Sequence, residues 1–77
     1  MTFDTAFGSA LLAEATKLVR ANFPEVKLSE AWTYKFMRDH WEFHYKDFYW
    51  HGNASCSYEA RYNGWMAWLR TKGVNVD

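Results

Sequence analysis

The hydrophobic positions of this chain change period twice. Between residues 5 and 22, Phe7, Leu11, Ala15 and Leu18 recur at spacings of three and four, and Leu12 and Val19 widen the stripe. Glu14, Lys17 and Arg20 fall on other faces, so the segment predicts an amphipathic helix. Asp4 is placed to cap it, because its carboxylate can accept from the free N–H groups of the first turn. Pro24 ends it, having no N–H and disfavouring helical geometry at Phe23. Gly8 weakens the first turns by up to about 1 kcal/mol relative to alanine.

The period then drops to two. Trp32, Tyr34 and Phe36 alternate with Thr33 and Lys35, and Trp41, Phe43 and Tyr45 alternate with Glu42 and His44. A third run, Phe48 to His51, follows Lys46-Asp47 and stops at Gly52. Alternating aromatics are the mark of half-buried strands. A competing helix over residues 29–38, capped by Ser29 with Leu28, Trp32 and Phe36 as its stripe, fits the pattern less well. Pairing Phe36 with Trp41 sets Tyr34 against Phe43 and Trp32 against Tyr45. Pairing Tyr45 with Phe48 sets Phe43 against Trp50. One face is then aromatic throughout, from Trp32 through Phe43 to Trp50. The other carries Lys35 opposite Glu42, His44 opposite Tyr49 and Glu42 opposite His51, together with Met37. Neither Arg38-Asp39 nor Lys46-Asp47 is a favoured two-residue turn, which points to longer loops.

Residues 54–72 return to a helical period, opened by Asn53 or Ser55 and closed by Gly73 after Lys72. Tyr58, Tyr62, Trp65 and Leu69 form one stripe, with Ser57, Ala60, Gly64 and Ala67 as a strip of small residues beside it. Gly64 costs about 1 kcal/mol inside a helix. Close approach of the helix backbone to sheet aromatics would offset that cost. The reading is a single α+β domain over residues 1–77: a three-stranded antiparallel sheet between an N-terminal and a C-terminal helix, in the order α-β-β-β-α.

Composition sharpens this picture. Seventy-seven residues bury only about 60% of their unfolded surface, so the core is thin. Cys56 is the only cysteine, which rules out an internal disulfide and fits a reducing compartment. Sixteen aromatic residues, 21% of the chain, compensate, since each can bury about 150–250 Å². Nine basic and nine acidic residues cancel and are interspersed, which disfavours binding to nucleic-acid phosphates. No apolar run reaches the length of a membrane span, and the N-terminus lacks a basic leader. A cytoplasmic protein with no membrane association is expected, as monomer or homodimer.

Candidate chemistry is sparse. His40, His44, His51 and Cys56 are the set to test for metal, but their spacing matches no zinc pattern. Cys56 at a helix start near His51 is a weak nucleophile–base pair. Glu42 between two histidines has a simpler account as a charge pair on the polar face. No glycine-rich phosphate loop occurs. The expectation is a non-enzyme without catalytic residue, metal or cofactor. Aromatics on a sheet raise nucleic-acid binding as an alternative, and the element order is that of double-stranded-RNA-binding domains. Such a domain needs a lysine cluster at its last helix, and this chain has Asn53 to Ser57 there. Protein binding is the preferred reading, because the aromatics exceed what one sheet face and two stripes hide. Its candidate residues are Lys35, Met37, His44, Tyr49, His51, Arg61 and Trp68, with Tyr49 and Trp68 expected at the surface.

The stretch from His40 to Leu69 contains FYWHG, then A-x-x-x-Y-E-A-R, then G-W-x-A-W. It resembles small accessory proteins carried by tailed phages and prophages, over about half the chain. That resemblance implies a setting: such proteins commonly bind one host protein, and anti-CRISPR inhibitors are a prominent class. Many of those are acidic nucleic-acid mimics, which this neutral chain is not. The resemblance therefore implies steric inhibition of a host protein in the host cytoplasm.

Overall fold

The computed structural model describes residues 5–76. Helix α1 spans Thr5–Asn22, a single 3-10 turn spans Leu28–Glu30, and three strands follow: β1 (Trp32–Met37), β2 (His40–Tyr45) and β3 (Phe48–Asn53). Helix α2 (Ser57–Thr71) completes an α+β fold in the expected α-β-β-β-α order. The helical alternative for residues 29–38 is not adopted, since β-branched and aromatic side chains fit a pleated surface better. Asp4, the expected cap of α1, lies outside the described residues.

Helix α1 has the expected bounds. Ahead of Pro24, Phe23 N–H donates to the Val19 carbonyl (2.7 Å) and Asn22 Nδ2 donates to the Leu18 carbonyl (2.8 Å), which finishes the last turn. Its buried line is rotated from the expected one. Gly8, Ala15 and Val19 face inward, whereas Phe7 is 57% exposed.

The strands form one antiparallel sheet in the order β1-β2-β3. The β2–β3 register is the one expected, with Tyr45 against Phe48, Phe43 against Trp50 and Glu42 against His51. The β1–β2 register is not. Met37 pairs with His40 beside the turn, and a bulge between Lys35 and Met37 then slips the strand by one residue. Beyond it Lys35 opposes Trp41, Tyr34 opposes Glu42, Thr33 opposes Phe43 and Trp32 opposes His44. A one-residue slip moves every side chain to the opposite face. Trp32, Tyr34 and Phe36, expected in the core, therefore stand on the other side of the sheet.

Both hairpin loops are shorter than expected, since these pairings leave only Arg38-Asp39 and Lys46-Asp47 unpaired. Lys46 supplies the left-handed residue a tight hairpin requires, at φ 52°. Strand β3 continues through Gly52 to Asn53, and Ala54 N–H donates to the Asp39 carbonyl at 2.8 Å, adding one rung.

Because Asn53 belongs to β3, α2 opens later than expected, with Cys56 as its cap residue. Glu59 in its first turn accepts from the Ser55 N–H at 2.6 Å. At the far end Gly73 adopts φ 83°, Val74 N–H donates to the Leu69 carbonyl (3.0 Å) and Gly73 N–H to the Arg70 carbonyl (3.1 Å). This is the Schellman closure that favours glycine.

Helix α2 lies against the inner face of the sheet and touches all three strands, and α1 packs against α2. The core joins Phe43, Tyr45, Trp65 and Leu69 to Ala15 and Val19. Its rings meet edge to face, Phe43 with Trp65 at 5.1 Å and Tyr45 with Trp68 at 5.6 Å, the favoured quadrupole geometry. Trp68 is only 6% exposed, which corrects its expected surface position. Phe23 covers it edge-on at 5.0 Å. Conversely Tyr58, expected in the buried stripe, is 42% exposed, and Ala60 and Gly64 face inward. Gly64 fulfils its expected role: a Cβ there would lie 2.0 Å from Phe43 Cγ.

Candidate functional site

Both helices sit on one side, so the other face of the sheet is open. The bulge in β1 decides what that face carries. On β1 it presents Trp32, Tyr34 and Phe36, with Met37 beside them, all exposed. On β2 it presents His40, Glu42 and His44, and on β3 Tyr49, His51 and Asn53. Successive cross-strand rows are therefore Trp32–His44–Tyr49 and Tyr34–Glu42–His51, followed by His40 and Asn53 next to the first turn.

These rows have relief. Trp32, Tyr34 and Tyr49 are 52%, 53% and 48% exposed. The side chains of His44 and Glu42 between them are only 25% and 23% exposed. The result is a shallow trough along β2, walled by aromatic rings on the two outer strands. Its floor is fixed by local contacts. Trp32 stacks on the His44 ring at 4.0 Å with 9° between planes, and Tyr49 lies 4.9 Å from the other side of that ring. His44 Nε2 bonds Glu42 Oε1 at 2.8 Å. His40 Nε2 and His51 Nδ1 are 3.2 Å apart, so one ring donates and the other accepts. Phe36 meets His40 edge-on at 4.6 Å, and Tyr49 stacks beside His51 at 5.5 Å.

The electrostatics are close to neutral. No lysine or arginine projects from the strand positions of this face. The Glu42 carboxylate is the one charged side chain at the strand positions of this face; it bonds His44 Nε2 and accepts from the Tyr49 hydroxyl. The Tyr49 phenol is pushed above its ordinary range, first by partial desolvation among its neighbours, then by the Glu42 charge and that hydrogen bond.

Of the residues expected to bind a partner, Met37, His44, Tyr49 and His51 come together here. Lys35 is exposed but points with Trp41 toward the opposite side of the sheet, and Arg61 is exposed on α2. Trp68 is in the core. Sequence reasoning missed Trp32, Tyr34 and Phe36 because it placed β1 in perfect alternation, while His40 was considered for metal rather than for a partner. The adjacent apolar pair Phe36-Met37 beside the turn was the one hint that the alternation breaks. Cys56 caps α2 away from the three histidines, and among the described residues no group of three or more His, Cys, Asp or Glu is arranged to hold a metal ion.

A second depression, about 310 Å³, lies between the segment that follows α1, the β2–β3 turn and the end of α2, lined by Phe23, Val26, Tyr45, Lys46, Trp68 and Lys72, among others. The Lys46 and Lys72 ammoniums stand 5.5 Å over the Tyr45 and Trp68 rings. Among the described residues no helix is long and apolar enough to cross a membrane. Comparison with protein-family models, curated proteins and solved structures finds no match.

Proposed function

We propose that this protein is a non-catalytic binding module whose open sheet face docks onto one partner protein. The observation that supports it is the set of large apolar side chains, Trp32, Tyr34, Phe36, Met37 and Tyr49, exposed together on one face. Contiguous apolar surface of this kind marks interaction sites, and Trp and Tyr are the side chains that dominate binding energy. The near-absence of charge favours protein over nucleic acid, which would call for cations along a phosphate track. The likeness of residues 40–69 to tailed-phage accessory proteins extends the proposal: the partner is a host protein, and binding blocks its surface sterically, as an anti-CRISPR or other counter-defence inhibitor does.

Capture from a bacterial lysate tests this. A specific protein should be retained by the wild type and by Tyr58→Ala, whose ring is exposed on α2, and lost with Tyr34→Ala. Capture that is indifferent to Tyr34 would refute the assignment to this face. Binding of mixed oligonucleotides with steep salt dependence would instead support nucleic-acid recognition through the exposed rings.

A further inference from the structure

The three histidines of the open face are held differently. His44 is stacked on Trp32 and bonded to Glu42, whereas His40 and His51 turn to each other at the end of the face beside the first turn. The register brings this pair together. His40 opens β2 opposite Asn53, and His51 lies opposite Glu42, so the two are diagonal neighbours on adjacent strands. Diagonal positions are within reach of aromatic side chains. Phe36 braces the His40 ring edge-on at 4.6 Å, and Tyr49 stacks beside His51 at 5.5 Å. His51 is exposed and His40 half-buried, and the contact between them lies at the surface.

Their spacing is that of a chelate. His40 Nε2 and His51 Nδ1 are 3.2 Å apart. A zinc-type ion bonds imidazole nitrogen at about 2.0–2.1 Å, so an ion equidistant from both would subtend about 100°, close to tetrahedral. The strands need not move. The lone pairs have to converge to one side of the line joining the nitrogens, and the broad χ2 torsion of histidine gives the rings that latitude. The protons balance as well. In the neutral pair one facing nitrogen carries a proton and donates it to the other. On metal binding that ring shifts to its other tautomer, leaving both facing nitrogens as ligands with no net proton lost. What is given up is one exposed hydrogen bond between neutral groups, whose net contribution is small.

Charge and donor type select the ion. Glu42, the one carboxylate at the strand positions of this face, lies opposite His51 and two residues from His40, and its field favours a cation. Imidazole nitrogens suit zinc, copper and nickel, whereas magnesium and calcium take oxygen ligands. From this juxtaposition we propose that His40 and His51 form a bidentate site for a divalent transition-metal ion such as Zn2+. The ion is bound through His40 Nε2 and His51 Nδ1, with water in the remaining positions. Two protein ligands are fewer than a structural zinc site uses, so binding is moderate and the outer positions stay exchangeable. This site goes beyond the docking reading above and does not rest on it.

Zn2+ titrated calorimetrically into the full chain, with Mg2+ as the control, is the test. One equivalent of Zn2+ should saturate the protein below about 1 mM and raise its Tm, while Mg2+ does neither. His40→Ala and His51→Ala should each weaken binding about tenfold or more, at least what loss of an outer-shell partner costs a metal site. His44→Ala and Cys56→Ser should leave it unchanged. Two single ligand variants guard against loss of folding in either. No saturation by Zn2+, or binding indifferent to both His40 and His51, would overturn the proposal. Binding lost in His44→Ala would assign the ion to the His44–Glu42 pair, and binding lost in Cys56→Ser would assign it to the thiolate, each overturning it as well. A lysate partner lost with Tyr34→Ala while Zn2+ fails to bind would defeat this inference and leave the docking reading intact.

Discussion

Gly64 offers the most direct test of how the layers meet. On helix propensity alone, replacing it with alanine should stabilise α2 by about 1 kcal/mol. The packing predicts the opposite. The new Cβ would lie 2.0 Å from Phe43 Cγ, 2.4 Å from Cδ1 and 2.5 Å from Cβ. Carbon atoms rest at about 3.5–4.0 Å, so helix and ring must separate by about 1.5 Å. Phe43 is fully buried with Trp65 on one side and Phe48 on another, so it has nowhere to turn. A gap of that size forfeits half or more of each contact across the interface. With tens of contacts worth about 0.1–0.2 kcal/mol apiece, the loss is about 3 kcal/mol. After the propensity gain, Gly64→Ala should cost about 2 kcal/mol net, lowering Tm by about 8–16 °C in a domain of this size. Urea denaturation and a thermal scan would measure it. The cycle with Phe43→Leu should be non-additive by about 1–2 kcal/mol in the rescuing direction, since the smaller side chain vacates the space Cβ needs. A Gly64→Ala variant as stable as the wild type, or an additive cycle, would refute the close approach.

The remaining predictions concern burial, the β2–β3 turn and the Tyr49 phenol. Trp68→Ala should cost about 3–5 kcal/mol as a core truncation, whereas Trp32→Ala should stay within about 0.5 kcal/mol; denaturant midpoints separate the two. Lys46→Asn should raise stability by about 0.5–1 kcal/mol, because asparagine tolerates the left-handed conformation; an unchanged Tm would count against the tight turn. The Tyr49 phenol should ionise above the ordinary tyrosine range, and Glu42→Gln should bring its midpoint down in a spectrophotometric titration calibrated against Tyr49→Phe. Since the folded state holds that proton more tightly, its contribution is complete at neutral pH. It should be lost as pH rises past about 10 and through the folded-state value.

The sequence by itself determined the elements and their order. Helix α1 could be bounded because Pro24 is a covalent stop and its stripe repeats over several turns. The strands could be placed because aromatic alternation is a local signal, and the β2–β3 register followed from the pairing of Tyr45 with Phe48. The role of Gly64 was legible too, since a glycine amid a helical stripe needs a neighbour to justify it. Four members of the open face, Met37, His44, Tyr49 and His51, were also placed correctly by parity.

Only the tertiary structure decided which side of the sheet β1 presents. A bulge at Phe36 inserts one residue, and no residue type is obligatory there, so the adjacent apolar pair Phe36-Met37 is its one trace in the sequence. Yet that single insertion exchanges the two faces of the strand. It puts Thr33 over the core in place of Tyr34 and exposes Trp32 and Tyr34 to solvent. The depth of Trp68 was equally out of reach, because it depends on where α1 and Phe23 come to rest against α2. Local periodicity is set by neighbours along the chain. Facing and burial are set by what the chain meets across the core, and the candidate site is a product of that second kind of contact.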